Sequence, residues 1–188
     1  MFVFDVETLD LESTAVLLAV GIVYIDESRE YDYETFFNEG KMIKFSVKAQ
    51  TGIRTISKST LQFWSEQAKD VRDLILTPSK NDVTPFDGII ELKNYMNEKD
   101  PKRESMVFTR GPLDQMVWPS FCKSFNAFDP ISYKRFRDVR TFVDCISGNT
   151  TGYCNINKKI IQPPNFMAHH PVHDVARDAL MMLYPDTE

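Results

Sequence analysis

The stretch FVFDVE at residues 2–7 alternates apolar with polar side chains, and this alternation predicts the first strand of a sheet. Its two phenylalanines and Val6 share one face, whereas Asp5 and Glu7 share the other together with Val3. A strand carries carboxylates on its face only where water or a counter-cation compensates their charge. Because hard divalent cations prefer oxygen ligands, Asp5 and Glu7 are candidate metal ligands, with an edge strand that has one wet face as the alternative.

The rest of the chain predicts more strands and then an alternation of helices and strands. Further strands are predicted at residues 15–25, 31–37, 105–109 and 133–139. Helices are predicted at residues 59–68, 84–96, 113–125, 140–146 and 173–184. Three leading strands followed by alternating elements predict an α/β or α+β fold around one mixed sheet.

Length and composition predict a single globular domain over residues 1–188. With 43% apolar and 26% charged residues, the chain is too hydrophobic to be disordered throughout. The longest uncharged stretch, residues 13–25, is shorter than the roughly 20 residues of a membrane-spanning helix. The three cysteines are far apart in the sequence, which argues against a disulfide framework or a thiolate zinc site and favours a reducing cytoplasm.

The charge is unevenly distributed along the chain. The net charge is −5, yet residues 101–160 hold 10 Lys or Arg against 5 Asp or Glu. A basic segment in an acidic protein is compatible with phosphate contacts from one face, although on charge alone an uneven solvated surface is the favoured explanation.

All three histidines lie close together near the C-terminus, at residues 169, 170 and 173, and Asp174 and Asp178 follow them. A separation of five residues places His173 and Asp178 on different faces of a helix. They converge only if His173 precedes the helix and Asp178 projects from its first or second turn. Asp174 and Asp178 share a face, so the sequence leaves open which acid points inward. The alternatives are a polar loop and a zinc site of His169 and His173, which the intervening proline disfavours.

Asp114 is another candidate, because it follows a predicted strand and a Gly-Pro break and stands in the first turn of a helix. The alternative is that Asp114 has no functional role, because the helix dipole alone favours an acid in the first turn of a helix.

Taken together, these motifs resemble the DEDDh, or DnaQ-like, 3′–5′ exonucleases. The resemblance rests on Asp5-x-Glu7, on Asp114 and on His173-x(4)-Asp178 followed by Ala, in that order. The blocks KSTLQFW at residues 58–64 and RDVRT at residues 137–141 resemble bacteriophage members of the family, and similarity extends over nearly the whole chain. The resemblance implies an RNase H-like α/β fold with a mixed five-stranded sheet flanked by helices. If the chain is phage-encoded, the expected location is the host cytoplasm.

The resemblance also implies a mechanism with two ions, Mg²⁺ or Mn²⁺. By this resemblance, Asp5 would bridge both ions, Glu7 and Asp178 would complete the shell of the ion that carries the attacking water, and Asp114 would hold the second ion. His173 would be the general base, since imidazole titrates near neutral pH.

The implied substrate is the 3′ end of single-stranded nucleic acid, with DNA slightly preferred over RNA. Trp64 is the candidate substrate-binding residue, because its family counterpart lies near the terminal nucleotide; burial in the core is the alternative for a helical tryptophan. A non-catalytic nucleic-acid-binding module that kept the fold is the alternative function, and a zinc hydrolase is a third. No membrane partner is expected, and the oligomeric state is not readable.

Overall fold

The computed structural model describes residues 1–157 and 166–186. Within these residues, five strands form one sheet in the order β3-β2-β1-β4-β5. The strands are β1 (Phe2–Thr8), β2 (Leu17–Tyr24), β3 (Lys41–Lys44), β4 (Val107–Thr109) and β5 (Phe136–Asp138). Pairing is antiparallel between β1 and β2 and between β2 and β3, but parallel from β1 to β4 and from β4 to β5. The expected mixed five-stranded sheet is therefore confirmed.

Seven α-helices accompany the sheet in the described part of the chain. They are α1 (Tyr33–Glu39), α2 (Lys58–Glu66), α3 (Lys69–Leu76), α4 (Pro85–Lys99), α5 (Pro112–Ser124), α6 (Val139–Ser147) and α7 (Pro171–Leu183). Short 3₁₀ turns occur at Lys48–Gln50 and Tyr133–Arg135. Among these helices, none is both long and apolar enough to cross a bilayer.

The alternation in β1 divides the core into two layers. Phe2, Phe4 and Val6 pack into the cluster that contains the apolar residues of α4 and α5. Val3 packs on the other side, with apolar residues of α6 and α7. Since side chains two apart on a strand share a face, Asp5 also lies on the α7 side of the sheet.

The predicted third strand at residues 31–37 is wrong, because this segment forms helix α1. The Asp32 side chain accepts a hydrogen bond from Thr35 N at 2.7 Å and caps the helix. Tyr33 and Phe36 are buried three residues apart, which is helical spacing. The third strand is instead β3, which pairs with β2 through residues 41–44.

Several helix boundaries also differ from the prediction. Ser57, not Ser59, caps α2, since its side chain accepts from Thr60 N at 3.1 Å. Helix α3 was not expected at all. Most important for the site, α7 begins at Pro171 and not at His173. The two-residue difference decides which histidine precedes the helix.

Candidate active site

A cavity of about 510 Å³ opens on the α7 side of the sheet, where acidic side chains from three elements meet. Strand β1 contributes Asp5 and Glu7, helix α5 contributes Asp114, and helix α7 contributes Asp174 and Asp178. The structure thus brings together all four carboxylates predicted from the sequence and adds Asp174 as a fifth.

Close packing of α7 on the sheet holds these groups together. Gly21 of β2 is the register partner of Asp5. A Cβ at Gly21 would lie only 2.4 Å from the backbone carbonyl atoms of Pro171, the first residue of α7. The absence of a side chain at Gly21 therefore allows the first turn of α7 to rest on the strand beside Asp5, and this turn carries Asp174.

Asp114 is held in place by a hydrogen bond from the backbone of β1, beyond the point where β1 pairs with β4. Pairing of β1 with β4 covers Phe2 and Val3 only, so Val6 lies beyond it. Val6 N donates to Asp114 Oδ1 at 3.1 Å, and Asp114 itself is buried. The placement of Asp114 in the first turn of α5 is as the sequence predicts.

Burial, together with the crowding of acids, raises the pKa values of the carboxyl groups in the cavity. Burial, reinforced by the neighbouring charge of Glu7, raises the pKa of Asp5 well above its usual range. Burial likewise raises the pKa of Glu7 well above its usual range, and that of Asp114 to about 7. The pKa of Asp174 rises to about 6, again chiefly through burial. Near neutral pH, ionisation of all these buried carboxyl groups is unfavourable unless bound protons or a cation neutralise their charge.

His169 is the histidine that faces the carboxylates. It precedes α7 by two residues, and its backbone has φ 63°. Its Nδ1 lies 3.9 Å from Glu7 Oε1, and its backbone N donates to Asp174 Oδ2 at 2.8 Å. Burial lowers the pKa of His169, so the ring is neutral at physiological pH.

His173 lies away from the cavity, contrary to the prediction. It stands inside α7, its Nδ1 accepts a hydrogen bond from Met167 N at 3.1 Å, and only 9% of the residue is exposed. Its ring packs against four other rings, those of Tyr33, Phe37, Phe166 and His170. The physical reason is helical phase: five residues within one helix turn the chain through about 500°, so His173 cannot face the same way as Asp178.

Asp178 lies on the cavity wall, but its carboxylate forms an ion pair with Arg110. Arg110 Nε donates to both carboxylate oxygens, at 3.0 and 2.9 Å, and Nη2 donates to Oδ1 at 2.7 Å. Both side chains of this ion pair are nearly inaccessible to solvent. A carboxylate in such a bidentate pair is a poor cation ligand unless the pair opens.

Trp64 supports the site from within the core. Only 1% of it is exposed, and its Nε1 donates to Thr8 O at 2.9 Å, so the ring fixes the end of β1. The neighbouring Phe63 is 40% exposed, lines the cavity and meets the His169 ring edge to face at 5.0 Å. The aromatic surface available to a ligand is therefore that of Phe63 and of Tyr153, which is 46% exposed and also lines the cavity.

The sequence contains a signal for His169 and Asp174 that the prediction of His173 and Asp178 misses. These residues are separated by five positions, as are His173 and Asp178, and Pro171 between them is a favoured first residue of a helix. A helix that begins at Pro171 leaves His169 outside and puts Asp174 in its first turn. In this arrangement, a histidine before the helix and an acid in its first turn can face the same cavity.

The donor set suits a hard divalent cation. Glu7, His169 and Asp174 each offer a ligand atom, and these atoms lie within 4.8 Å of one another. Asp5 and Asp114 add carboxylate oxygens to the same cavity. Oxygen-rich sites of this kind suit Mg²⁺ or Mn²⁺, and a bound cation relieves the repulsion that raises the carboxyl pKa values.

Comparison with known proteins agrees with the fold. The family model described as the 3′–5′ exoribonuclease Rv2179c-like domain matches residues 1–184. The exodeoxyribonuclease of Enterobacteria phage T4 is 29% identical over 204 residues, covering 97% of this chain and 87% of that protein. Both findings, with the mixed sheet flanked by helices, bear out the expected RNase H-like fold. The chain therefore belongs to the Rv2179c-like family within the DnaQ-like exonucleases, and it is a 3′–5′ exonuclease of nucleic acid.

Proposed function

We propose that the protein is a divalent-metal-dependent exonuclease that removes nucleotides from the 3′ end of single-stranded nucleic acid. The observation that carries this proposal is the convergence of carboxylates from β1, α5 and α7 on one cavity, beside a neutral imidazole. We also propose that residues 1–188 form a single exonuclease domain, in keeping with the family match over residues 1–184.

The residues that would hold the metal are Asp5, Glu7, Asp114 and Asp174. Two ions, Mg²⁺ or Mn²⁺, would neutralise charge on the phosphate and lower the pKa of a bound water. Asp178 was expected among the ligands, but Arg110 already occupies its carboxylate oxygens. We therefore assign to Asp178 the role of anchoring Arg110, and to Asp174 the place in the ligand set.

We assign the general base to His169 in place of His173. A base must reach the water that attacks the phosphate, and His169 lines the cavity beside Glu7. Nδ1, the ring nitrogen near Glu7, is the atom that would accept the proton. Since burial lowers the pKa of His169, the ring is ready to accept it at neutral pH.

The opening suits a strand end. A cavity of about 510 Å³ is of the size that proteins use to enclose a small ligand, which supports a single terminal nucleotide as the bound unit. Leu11 and Phe63 are exposed apolar side chains at its edge, and a base can stack on such a ring. Trp64, predicted to contact substrate, would act indirectly by supporting Phe63 and Thr8.

We propose that DNA is slightly preferred over RNA. The phage T4 relative is named an exodeoxyribonuclease, which supports DNA, whereas the family description names an exoribonuclease. Matched DNA and RNA strands of one sequence, compared by kcat/KM, test the preference.

The test of the function uses single strands labelled at the 5′ end, with Mg²⁺ or Mn²⁺ and with or without a chelator. We expect stepwise shortening from the 3′ end that the chelator and Asp5→Ala both abolish. Binding without cleavage would instead indicate the non-catalytic module, and activity restored by zinc alone would indicate a zinc hydrolase. Equal degradation of a blunt duplex would contradict the single-strand assignment.

A further inference from the structure

Three arginines line the acidic cavity, and two of them already have acidic partners. Arg110 forms the bidentate pair with Asp178, and Arg177 Nη2 lies 3.3 Å from Asp174 Oδ1. These two arginines offset part of the negative charge of the site.

Arg140 is the third, and it is different. It is exposed and lines the cavity, and in residues 1–157 and 166–186 no hydrogen bond or ion pair involves its guanidinium group. Among the described residues, Arg140 is thus a cation with unused donors at the cavity.

Two glycines hold Arg140 in position. A Cβ at Gly152 would lie 2.6 Å from Cβ and Cγ of Arg140, so the arginine stem occupies the space that a side chain would take. The guanidinium end passes over Gly111, where a Cβ would be 3.8 Å from Nη1. Gly152 is itself fixed, because its N donates to Asp144 Oδ1 at 2.7 Å and its O accepts from Arg110 Nη1 at 2.8 Å.

Arg140 stands on the α5 side of the cavity. Burial raises the pKa of Asp114, and the positive charge of Arg140 is one of the influences that oppose this rise. Phe63 and His169 contact each other next to Glu7. A strand whose terminal base lies against Phe63 and whose scissile phosphate lies at the carboxylates would leave the cavity past Arg140.

We propose that Arg140 binds the phosphate immediately 5′ of the scissile phosphate, an inference that rests on the proposed exonuclease function. Arginine presents five donors in a planar fork that matches phosphate oxygens. Because Arg140 forms no ion pair with the described part of the chain, its interaction with phosphate requires no ion pair there to break. It would therefore strengthen substrate binding and set the path of the strand, without taking part in bond cleavage.

The test is a cycle that combines a protein change with a substrate change. A short oligothymidylate is made with ordinary phosphates, with a neutral methylphosphonate at the linkage next to the scissile one, or with the methylphosphonate farther upstream. Wild type and Arg140→Gln are compared on each by kcat/KM. Binding of the same strands is measured by fluorescence anisotropy in an Asp5→Asn background, which gives a readout independent of turnover.

If Arg140 contacts that phosphate, Arg140→Gln and the adjacent methylphosphonate should each lower kcat/KM and affinity by about tenfold, mostly through KM. Together they should cause no further loss, since both remove one contact. The upstream methylphosphonate should leave the effect of Arg140→Gln intact. Losses that multiply, or a fall in kcat with unchanged KM, would overturn the proposal.

Arg137→Gln is the matched control, because Arg137 is an exposed arginine of the same segment that does not line the cavity. It donates to backbone oxygens of Lys134 and Phe136. We expect this variant to behave as wild type and Arg140→Lys to recover part of the affinity. If wild type leaves every strand uncut, the proposed function fails, while the anisotropy cycle still decides whether Arg140 recognises the phosphate.

Discussion

His169 and Asp174 are joined across the start of α7, where the backbone N of His169 donates to Asp174 Oδ2 at 2.8 Å. This bond fixes the backbone that carries the imidazole and turns the carboxylate of the first helical turn toward Glu7. One short segment thereby supplies both the proposed base and a proposed metal ligand.

The assignment of the base leads to a comparison of two histidine variants. We expect His169→Ala to lower kcat by about 10²- to 10⁴-fold, the usual contribution of a general base, with a small change in KM. His173→Ala should keep most of its turnover per folded molecule but lose stability, since it empties a site among four rings. Single-turnover kinetics and urea unfolding of both variants check this. The opposite pattern would restore His173 as the base.

Asp174 and Asp178 should separate activity from stability. Asp178→Asn leaves the half-buried Arg110 without its anionic partner, so we expect the free energy of unfolding to fall by about 3 kcal/mol. Asp174→Asn weakens a longer, partly exposed pair with Arg177 and keeps an amide oxygen that can accept from His169 N, so it should change stability by less than about 1 kcal/mol. Exonuclease activity should nevertheless be lost in Asp174→Asn. Urea titrations paired with assays at several Mg²⁺ concentrations measure both, and an active Asp174→Asn would exclude it as a ligand.

The raised carboxyl pKa values predict how stability depends on pH without metal. The folded-state pKa of Asp114 is about 7, against an ordinary value of 3.8. Its contribution is therefore fully present below pH 3.8 and is lost as the pH rises through about 7. In chelator, wild type should lose roughly 2–4 kcal/mol of unfolding free energy relative to Asp114→Asn over this range. Added Mg²⁺ should restore most of the loss at pH 8, and parallel profiles of the two proteins would contradict the electrostatic account.

Gly21 should be required for the position of α7. Gly21→Ala places a Cβ against the Pro171 backbone, and such overpacking costs about 1–3 kcal/mol. Because the displaced turn carries Asp174, activity should fall as well. Gly52→Ala is the control: its Cβ meets nothing within 4 Å, although its φ of 78° makes alanine unfavourable. That variant should lose about 1 kcal/mol and keep its activity, whereas a fully active Gly21→Ala would show that the close contact is dispensable.

Phe63 and Trp64 should have different effects on substrate. Phe63→Ala removes the exposed ring and should raise KM by about tenfold or more, since stacking contributes about 1–3 kcal/mol per base. Trp64→Phe removes the hydrogen bond to Thr8 O and should chiefly lower stability, by about 1 kcal/mol. Measurements of KM for both variants, together with urea unfolding followed by circular dichroism, distinguish the two. A larger KM effect in Trp64→Phe would favour direct contact of Trp64 with the base.

Much of the fold could be predicted because its signals are local. Alternation in residues 2–7 identified β1, and Thr84 followed by Pro85 marked the start of α4, where the Thr84 side chain accepts from Asp87 N. Residues 31–37 misled the prediction, since aromatic residues are common in strands and the helical spacing of Tyr33 and Phe36 extends over little more than one turn. Only Asp32, as a cap, distinguishes the helix.

For the candidate site, the sequence by itself determined that Asp5 and Glu7 share a face and that Asp114 opens a helix, because period and capping are properties of neighbouring residues. It offered two histidine and acid pairs with one spacing, and the family motif selected His173 and Asp178. The tertiary structure chose, because contact of Pro171 with Gly21 sets the start and rotation of α7. With that phase, His169 and Asp174 face the cavity, His173 is turned into the core, and Asp178 meets Arg110.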